Sequence, residues 1–166
     1  MRRFLMILLL LGPLAAGSAS DGVAGASRAK VAAPAQTGRV VKVLPLYLDL
    51  KGRDAISPSL FDRDAYQAKL RQNTNEVSAI RFDVLWKASV AKGATLTLRA
   101  ELRGIGEHSL PRQAVLEQTV SPGFFRRWTP LKLEGGDLKQ FGSLVAWRVT
   151  LWNGGQLLGE QKSFLW

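Results

Sequence analysis

The chain has no cysteine among its 166 residues. This absence excludes disulfide bonds, a cysteine nucleophile, thiolate zinc sites and a lipid-bearing N-terminal cysteine. Histidine is almost as scarce, because His108 is the only one, so a histidine-rich metal centre cannot form within one chain. The sequence also lacks a glycine-rich phosphate loop, zinc-ligand spacing and a G-x-S-x-G nucleophile motif. We therefore expect a protein that is not an enzyme and holds no cofactor or metal.

Acidic residues are few relative to basic ones. The 23 Lys and Arg outnumber the 13 Asp and Glu and give a formal net charge of +10. Such a charge favours polyanionic partners, and it also keeps a protein soluble. Since the basic residues do not form one long block, solubility is the first interpretation, and we expect no nucleic-acid partner.

The first 19 residues have the parts of a secretory signal peptide. Arg2 and Arg3 give a positive start, and the apolar run Phe4–Leu11 is too short to span a bilayer. We expect cleavage after Ala19, with Ala16 as the alternative site; an uncleaved membrane anchor is the other interpretation. No later stretch is long and apolar enough for a transmembrane helix. The mature protein is therefore expected to be secreted or periplasmic, with no membrane span.

The next segment differs in composition from the rest of the chain. Residues 20–38 are rich in Ala, Gly and Ser and contain no aromatic residue. Such a stretch cannot bury enough apolar surface to offset its conformational entropy. We expect a disordered tether there, and a single domain over residues 39–166.

The clearest pattern in the chain lies between Ile80 and Arg103. Apolar side chains recur at every second position before a Lys92-Gly93 pair and again after it. A period of two sends alternate side chains to opposite faces of a strand. The segment therefore predicts two strands, each with one apolar and one largely polar face. We interpret them as a hairpin of an antiparallel sheet, turning at Lys92-Gly93.

Five more segments predict strands, at residues 40–50, 113–120, 128–133, 144–152 and 156–166. Pro45 and Pro130 indicate edge strands because proline has no N–H to donate. Asn153-Gly154 predicts a tight hairpin turn. One helical region, residues 57–75, lies between the first two strands, with Ser57 or Asp62 as its N-cap.

Seven strands with turns at these intervals predict an all-β fold made of two antiparallel sheets. We expect an immunoglobulin-like or fibronectin-III-like sandwich, with the short helix inserted between its first two strands. A closed barrel is the alternative. Trp86 and Trp147 lie on apolar faces and are expected in the core.

The segment Phe124–Trp128 has the composition of a binding site. Aromatic rings beside guanidinium groups can stack on sugars and pair with anions, and the segment follows a turn, where binding residues are common. Phe125, Arg126, Arg127 and Trp128 are therefore candidate ligand-binding residues. The alternative is that one Phe and Trp128 enter the core while the arginines stay in water.

Three other groups of residues have types that occur in binding or catalytic sites. Trp152 shares its strand face with polar residues, so it joins the candidate ligand-binding set as an exposed aromatic. Glu107-His108-Ser109 combines the residue types of a catalytic triad, but neighbours in sequence do not make one. Asp62 and Asp64, with Asp54, offer oxygen ligands for a cation, although acidic residues also belong in the first turn of a helix.

These observations favour a non-catalytic interaction module of a bacterial-type cell envelope. Its expected partner is an unidentified protein, bound through a sheet edge or the Phe124–Trp128 segment. The alternative is a module that binds an envelope carbohydrate or another polyanion through the aromatic and arginine residues. A glycoside-active enzyme that uses carboxylates such as Asp62 and Asp64 is the third hypothesis.

Overall fold

The computed structural model describes residues 36–166. The expected signal peptide and residues 20–35 of the expected tether lie outside this range. The first strand begins at Thr37, slightly before the domain start expected at Arg39. Among the described residues, no helix combines the length and the apolar composition needed to cross a membrane.

Seven strands and two helices follow one another along the chain; the strands and the first helix lie in the regions that the sequence pattern indicated. The strands are β1 (Thr37–Asp49), β2 (Val77–Ser89), β3 (Leu96–Ile105), β4 (Pro111–Val120), β5 (Arg127–Glu134), β6 (Ser143–Asn153) and β7 (Gln156–Lys162). Helix α1 (Leu60–Gln72) connects β1 to β2, and helix α2 (Gly135–Phe141) connects β5 to β6. The strands form two antiparallel sheets, ordered β1-β2-β5 and β4-β3-β6-β7. The architecture is a β-sandwich rather than one closed sheet.

The predicted hairpin between Ile80 and Arg103 is wrong, although both of its strands exist. β2 pairs with β1 and β5, whereas β3 pairs with β4 and β6. The residues between them, 90–95, cross from one sheet to the other. The apolar faces of β2 and β3 therefore meet across the core instead of lying side by side, and each shields the other from water.

The inner faces of the two sheets supply the hydrophobic core. Trp86 and Phe82 of β2 and Leu98 of β3 are among its largest fully buried side chains, and Trp147 packs against them partly buried. The Trp86 indole N–H donates to the Thr129 hydroxyl of β5 at 2.9 Å, and both side chains are buried. The core positions predicted for β2 and β3 are thus confirmed.

One predicted inner position of β6 is wrong. Val145 is 41% exposed, although it shares parity with Trp147. A shift in the β3–β6 register pairs Ala146 with Arg103 and Leu144 with Gly104, which leaves Val145 without a partner on β3. The extra residue forms a β-bulge, and a bulge interrupts the alternation of faces on which the prediction depended.

The edge strands and the last turn follow the sequence expectations. Pro45 and Pro130 lie on β1 and β5, the two edge strands of the three-stranded sheet. At the β6–β7 turn, Asn153 pairs with Gln156, and Gly154 adopts a positive φ of 54°. Both predictions are confirmed. Proline restricts the local backbone conformation and cannot donate a hydrogen bond, and glycine tolerates a positive φ, so both signals act regardless of the fold.

Helix α1 lies against the free edge of β1. Its N-cap is Ser59, whose hydroxyl accepts the Asp62 N–H at 3.4 Å, so the caps expected at Ser57 or Asp62 are wrong. The buried Gln67 side chain accepts the Tyr47 N–H at 2.8 Å and donates to the Tyr47 carbonyl at 2.9 Å. One side-chain amide therefore takes the place of a neighbouring strand at this point of the edge.

A carboxylate fixes the turn that follows β1. Asp49 accepts the N–H groups of Lys51 and Arg53 at 2.8 and 2.9 Å, the Arg53 guanidinium at 2.9 Å and the Tyr66 hydroxyl at 2.8 Å. These contacts, led by the Arg53 N–H, hold the pKa of the Asp49 carboxyl well below its usual range. The hydrogen bond to Asp49 also raises the pKa of Tyr66. The cluster joins the end of β1 to α1.

The two lateral sides of the sandwich differ. On one side β1 and β7 approach so closely that a Cβ on Gly159 would lie 2.5 Å from the Cα of Arg39. On the other side β5 and β4 are edge strands, and Trp128 and Val115 there are each 52% exposed. The connection between β4 and β5 lies at one end of this second side.

Candidate binding surface

Four segments meet at one end of the sandwich, which we call the loop end. They are the start of β1, the β2–β3 connection (residues 90–95), the β4–β5 connection (residues 121–126) and the β6–β7 turn (residues 154–155). In the three-stranded sheet, Thr37 at the start of β1 pairs with Ser89 at the end of β2. In the other sheet, Thr97 near the start of β3 pairs with Thr119 of β4 and Trp152 of β6. The β2–β3 connection joins these two places, so all four segments share one end.

The β4–β5 connection presents its aromatic side chains to water. Phe124 is 87% exposed and Phe125 is 77% exposed. Their rings meet edge to face, with centroids 5.0 Å apart and planes at 85°. Arg126 and Arg127 are exposed as well, and Trp128 is half-exposed at the start of β5. The alternative in which one Phe and Trp128 enter the core is therefore wrong.

A cleft of about 1080 Å³ lies between this connection and the β2–β3 connection. Phe124, Phe125 and Arg126 line it on one side, and Lys87 and Lys92 line it on the other. Its walls thus combine two apolar rings with three cationic side chains. Loops held by a rigid sheet scaffold are common places for binding sites.

The sequence-predicted ligand-binding residues divide into three places. Phe125 and Arg126 line the cleft, whereas Trp128 pairs across the strands with Leu85 on the outer face of the three-stranded sheet. Trp152 pairs with Thr97 on the outer face of the other sheet and donates its indole N–H to Thr150 at 2.9 Å. The structure therefore brings Phe125 and Arg126 together, with Arg127 and Trp128 next to them in the chain, and sets Trp152 apart.

Sequence reasoning missed the lysines of the cleft. Lys87 is an outward residue of β2 and was counted only as part of its polar face, while Lys92 was interpreted as a turn residue. Phe124, which is not among the predicted ligand-binding residues, is the most exposed aromatic side chain of the segment Phe124–Trp128. The available indication was the absence of any Asp or Glu between Lys87 and Thr97, which leaves those lysines without an acidic neighbour in sequence.

The remaining candidates lie elsewhere. Glu107, His108 and Ser109 form a short exposed 3-10 turn in the β3–β4 connection. Asp54 contacts the Arg81 guanidinium at 3.4 Å, and Asp62 belongs to the first turn of α1. Over residues 36–166, no three His, Asp or Glu side chains gather in a way that could hold a metal ion.

Comparisons of the chain with protein-family models, with curated proteins and with solved structures found no match. Chemical interpretation of the loop end therefore depends on its own residues. Its exposed rings and basic side chains can bind, stack and pair with anions.

Proposed function

We propose that this protein is an exported, non-catalytic β-sandwich module that binds a protein partner through the loop end. The observation that carries the proposal is the exposure of Phe124 and Phe125, at 87% and 77%. Aromatic side chains dominate the energetics of protein interfaces because each brings a large apolar area with little conformational entropy. Two adjacent rings left in water are suited to burial against another protein. Export is proposed from the signal-peptide pattern of residues 1–19.

We also propose that the sandwich is of the immunoglobulin-like class. In constant-type immunoglobulin domains, the first, second, fifth and fourth strands form one sheet and the third, sixth and seventh form the other. The present sheets have the same membership except that β4 pairs with β3. A fourth strand on this second sheet favours the fibronectin-III-like variant. In this arrangement the loop end corresponds to the end that carries the antigen-binding loops of variable domains.

Photocrosslinking in cells tests the protein-binding proposal. A photoreactive phenylalanine analogue replaces Phe125 in one strain and Phe61 in another. Phe61 is a matched control because it is 80% exposed and lies on α1 rather than at the loop end. We expect a discrete crosslinked protein from position 125 and none from position 61. Equal crosslinking from both positions, or none from 125, contradicts the proposal.

A second candidate function is the binding of an envelope glycan or another polyanion. The position of Trp128 favours it, because this half-exposed ring directly follows Arg126 and Arg127 in the chain. Sugars stack on such rings, and anionic groups pair with guanidinium. Co-sedimentation with the insoluble envelope polysaccharide, at low and high salt, tests this function. Binding that survives salt and disappears in Trp128→Ala indicates stacking, whereas binding lost in salt indicates charge attraction alone.

A further inference from the structure

The loop end is positively charged because the fold brings together basic side chains from separate segments of the chain. Its strand ends and connections comprise residues 36–42, 86–97, 118–128 and 151–157. These segments contain six basic side chains and no Asp or Glu. The six are Arg39, Lys42, Lys87, Lys92, Arg126 and Arg127. The fold thus gathers six basic side chains from three separate parts of the chain, and the fourth part adds no acidic side chain.

Within the described part of the chain, several arginines elsewhere on the sandwich form ion pairs with carboxylates, whereas the loop-end cations do not. Two examples are Arg81, which contacts Asp83 at 3.0 Å, and Arg148, which contacts Glu101 at 2.5 Å. Among residues 36–166, none of the six loop-end cations forms an ion pair. Their charge is therefore available to an external anion.

Two of the cations even face each other. Arg39 on β1 pairs directly with Lys87 on β2, and residues directly opposite on neighbouring strands point to the same face. Like charges in this position are mutually destabilising. An anion bound beside them would relieve the repulsion, so the arrangement favours a negatively charged ligand.

We propose that the partner enters the cleft of the loop end with an acidic segment that also carries an apolar side chain. This inference rests on the proposed function and specifies the chemistry of the protein that is bound. The concave cleft suits an extended chain segment, because carboxylates can meet Lys87, Lys92 and Arg126 while an apolar anchor packs on Phe124 and Phe125. Complementary charge raises the association rate and excludes basic competitors.

The test titrates the isotope-labelled mature protein with synthetic peptides, observed by NMR. One peptide contains Glu with Leu and Phe, a second replaces Glu by Gln, and a third replaces Leu and Phe by Gly. We expect shifts confined to the loop end, with the first peptide binding at least about tenfold more tightly than either of the others. Equal binding of the Gln peptide, or no shift at the loop end, overturns the inference.

Charge variants provide the second arm. Lys92→Glu with Arg126→Glu is expected to weaken binding of the acidic peptide about tenfold or more. Lys139→Glu with Lys162→Glu is the matched control, since it makes the same change of net charge on exposed residues away from the loop end. An equal loss in both double variants overturns the inference, because it assigns the attraction to net charge.

An anionic membrane surface is the alternative ligand for the positively charged loop end. Vesicles of phosphatidylcholine with and without phosphatidylglycerol are therefore tested in co-sedimentation. Binding to the anionic vesicles without binding to the acidic peptide overturns the inference. If crosslinking from position 125 captures a protein whose crosslinked segment has no Asp or Glu, the acidic-segment inference fails while the proposed function stands. If no protein is captured, the proposed function itself fails.

Discussion

Replacing Thr129 by valine tests the polar pair inside the core. The Thr129 hydroxyl accepts the Trp86 indole N–H at 2.9 Å, and the two residues are only 8% and 1% exposed. Valine has nearly the same shape, so the change removes the acceptor and leaves a buried N–H without a partner. Such a group costs about 1–3 kcal/mol. We expect Thr129→Val to lower the free energy of unfolding by that amount, measured by urea denaturation with far-UV circular dichroism.

A double-mutant cycle separates the hydrogen bond from packing. Trp86→Phe removes the donor, and it also leaves a cavity that costs about 2–4 kcal/mol. In that background Thr129→Val leaves no indole N–H unpaired, so its cost should fall to within about 0.5 kcal/mol of zero. Thr129→Ser keeps the hydroxyl and should cost only about 1 kcal/mol for the lost methyl group. If Thr129→Val costs the same with Phe as with Trp at position 86, the assignment to the hydrogen bond is refuted.

Three further predictions follow from the described contacts. Gln67→Ala should lower the free energy of unfolding by about 2–4 kcal/mol, because the buried N–H and C=O of Tyr47 both lose their partner. Gln67→Glu keeps only the acceptor for the Tyr47 N–H at neutral pH, so it should also lower the free energy of unfolding. The folded-state pKa of Asp49 lies below its unfolded value of 3.8. The contribution of the Asp49 carboxylate to stability is therefore fully present well above pH 3.8 and is lost as the pH falls below 3.8 toward the folded pKa. Urea midpoints measured from neutral pH into this acid range should decline less steeply in Asp49→Asn than in the wild type. The double change of Phe124 and Phe125 to Ser should alter the free energy of unfolding by less than about 0.5 kcal/mol, because both rings are exposed. The same change should abolish partner binding. A large loss of stability in thermal denaturation would show that the rings pack against the protein in solution.

The candidate binding surface was only partly predictable. Composition indicated Phe124–Trp128 as a candidate, because aromatic and guanidinium side chains occur together there just after a turn, and binding residues are common on loops. The contributions of Arg39 and Lys87 were not predictable, since these residues are far apart in sequence and meet only through the β1–β2 register. The separation of Trp152 from Trp128 was not predictable either. Strand parity correctly placed Trp152 on an outer face, but that face belongs to the sheet opposite the one that carries Trp128. Parity specifies which face of a strand a side chain occupies, and it carries no information on which sheet the strand joins.

The local pattern of residues specified the strands, most of their inner positions, the edge prolines and the last turn. These features depend on local physics: a period of two sorts side chains between core and solvent, proline cannot donate, and glycine tolerates positive φ. The assignment of β2 and β3 to different sheets depended on long-range contacts that no local pattern contains. The alternation shows that an apolar strand face needs a cover, but it does not specify which strands lie side by side under that cover, since burial of apolar area has no direction. The choice was made by the long-range pairing of β2 with β1 and β5, and that pairing also assembled the positive loop end from segments that are separate in the chain.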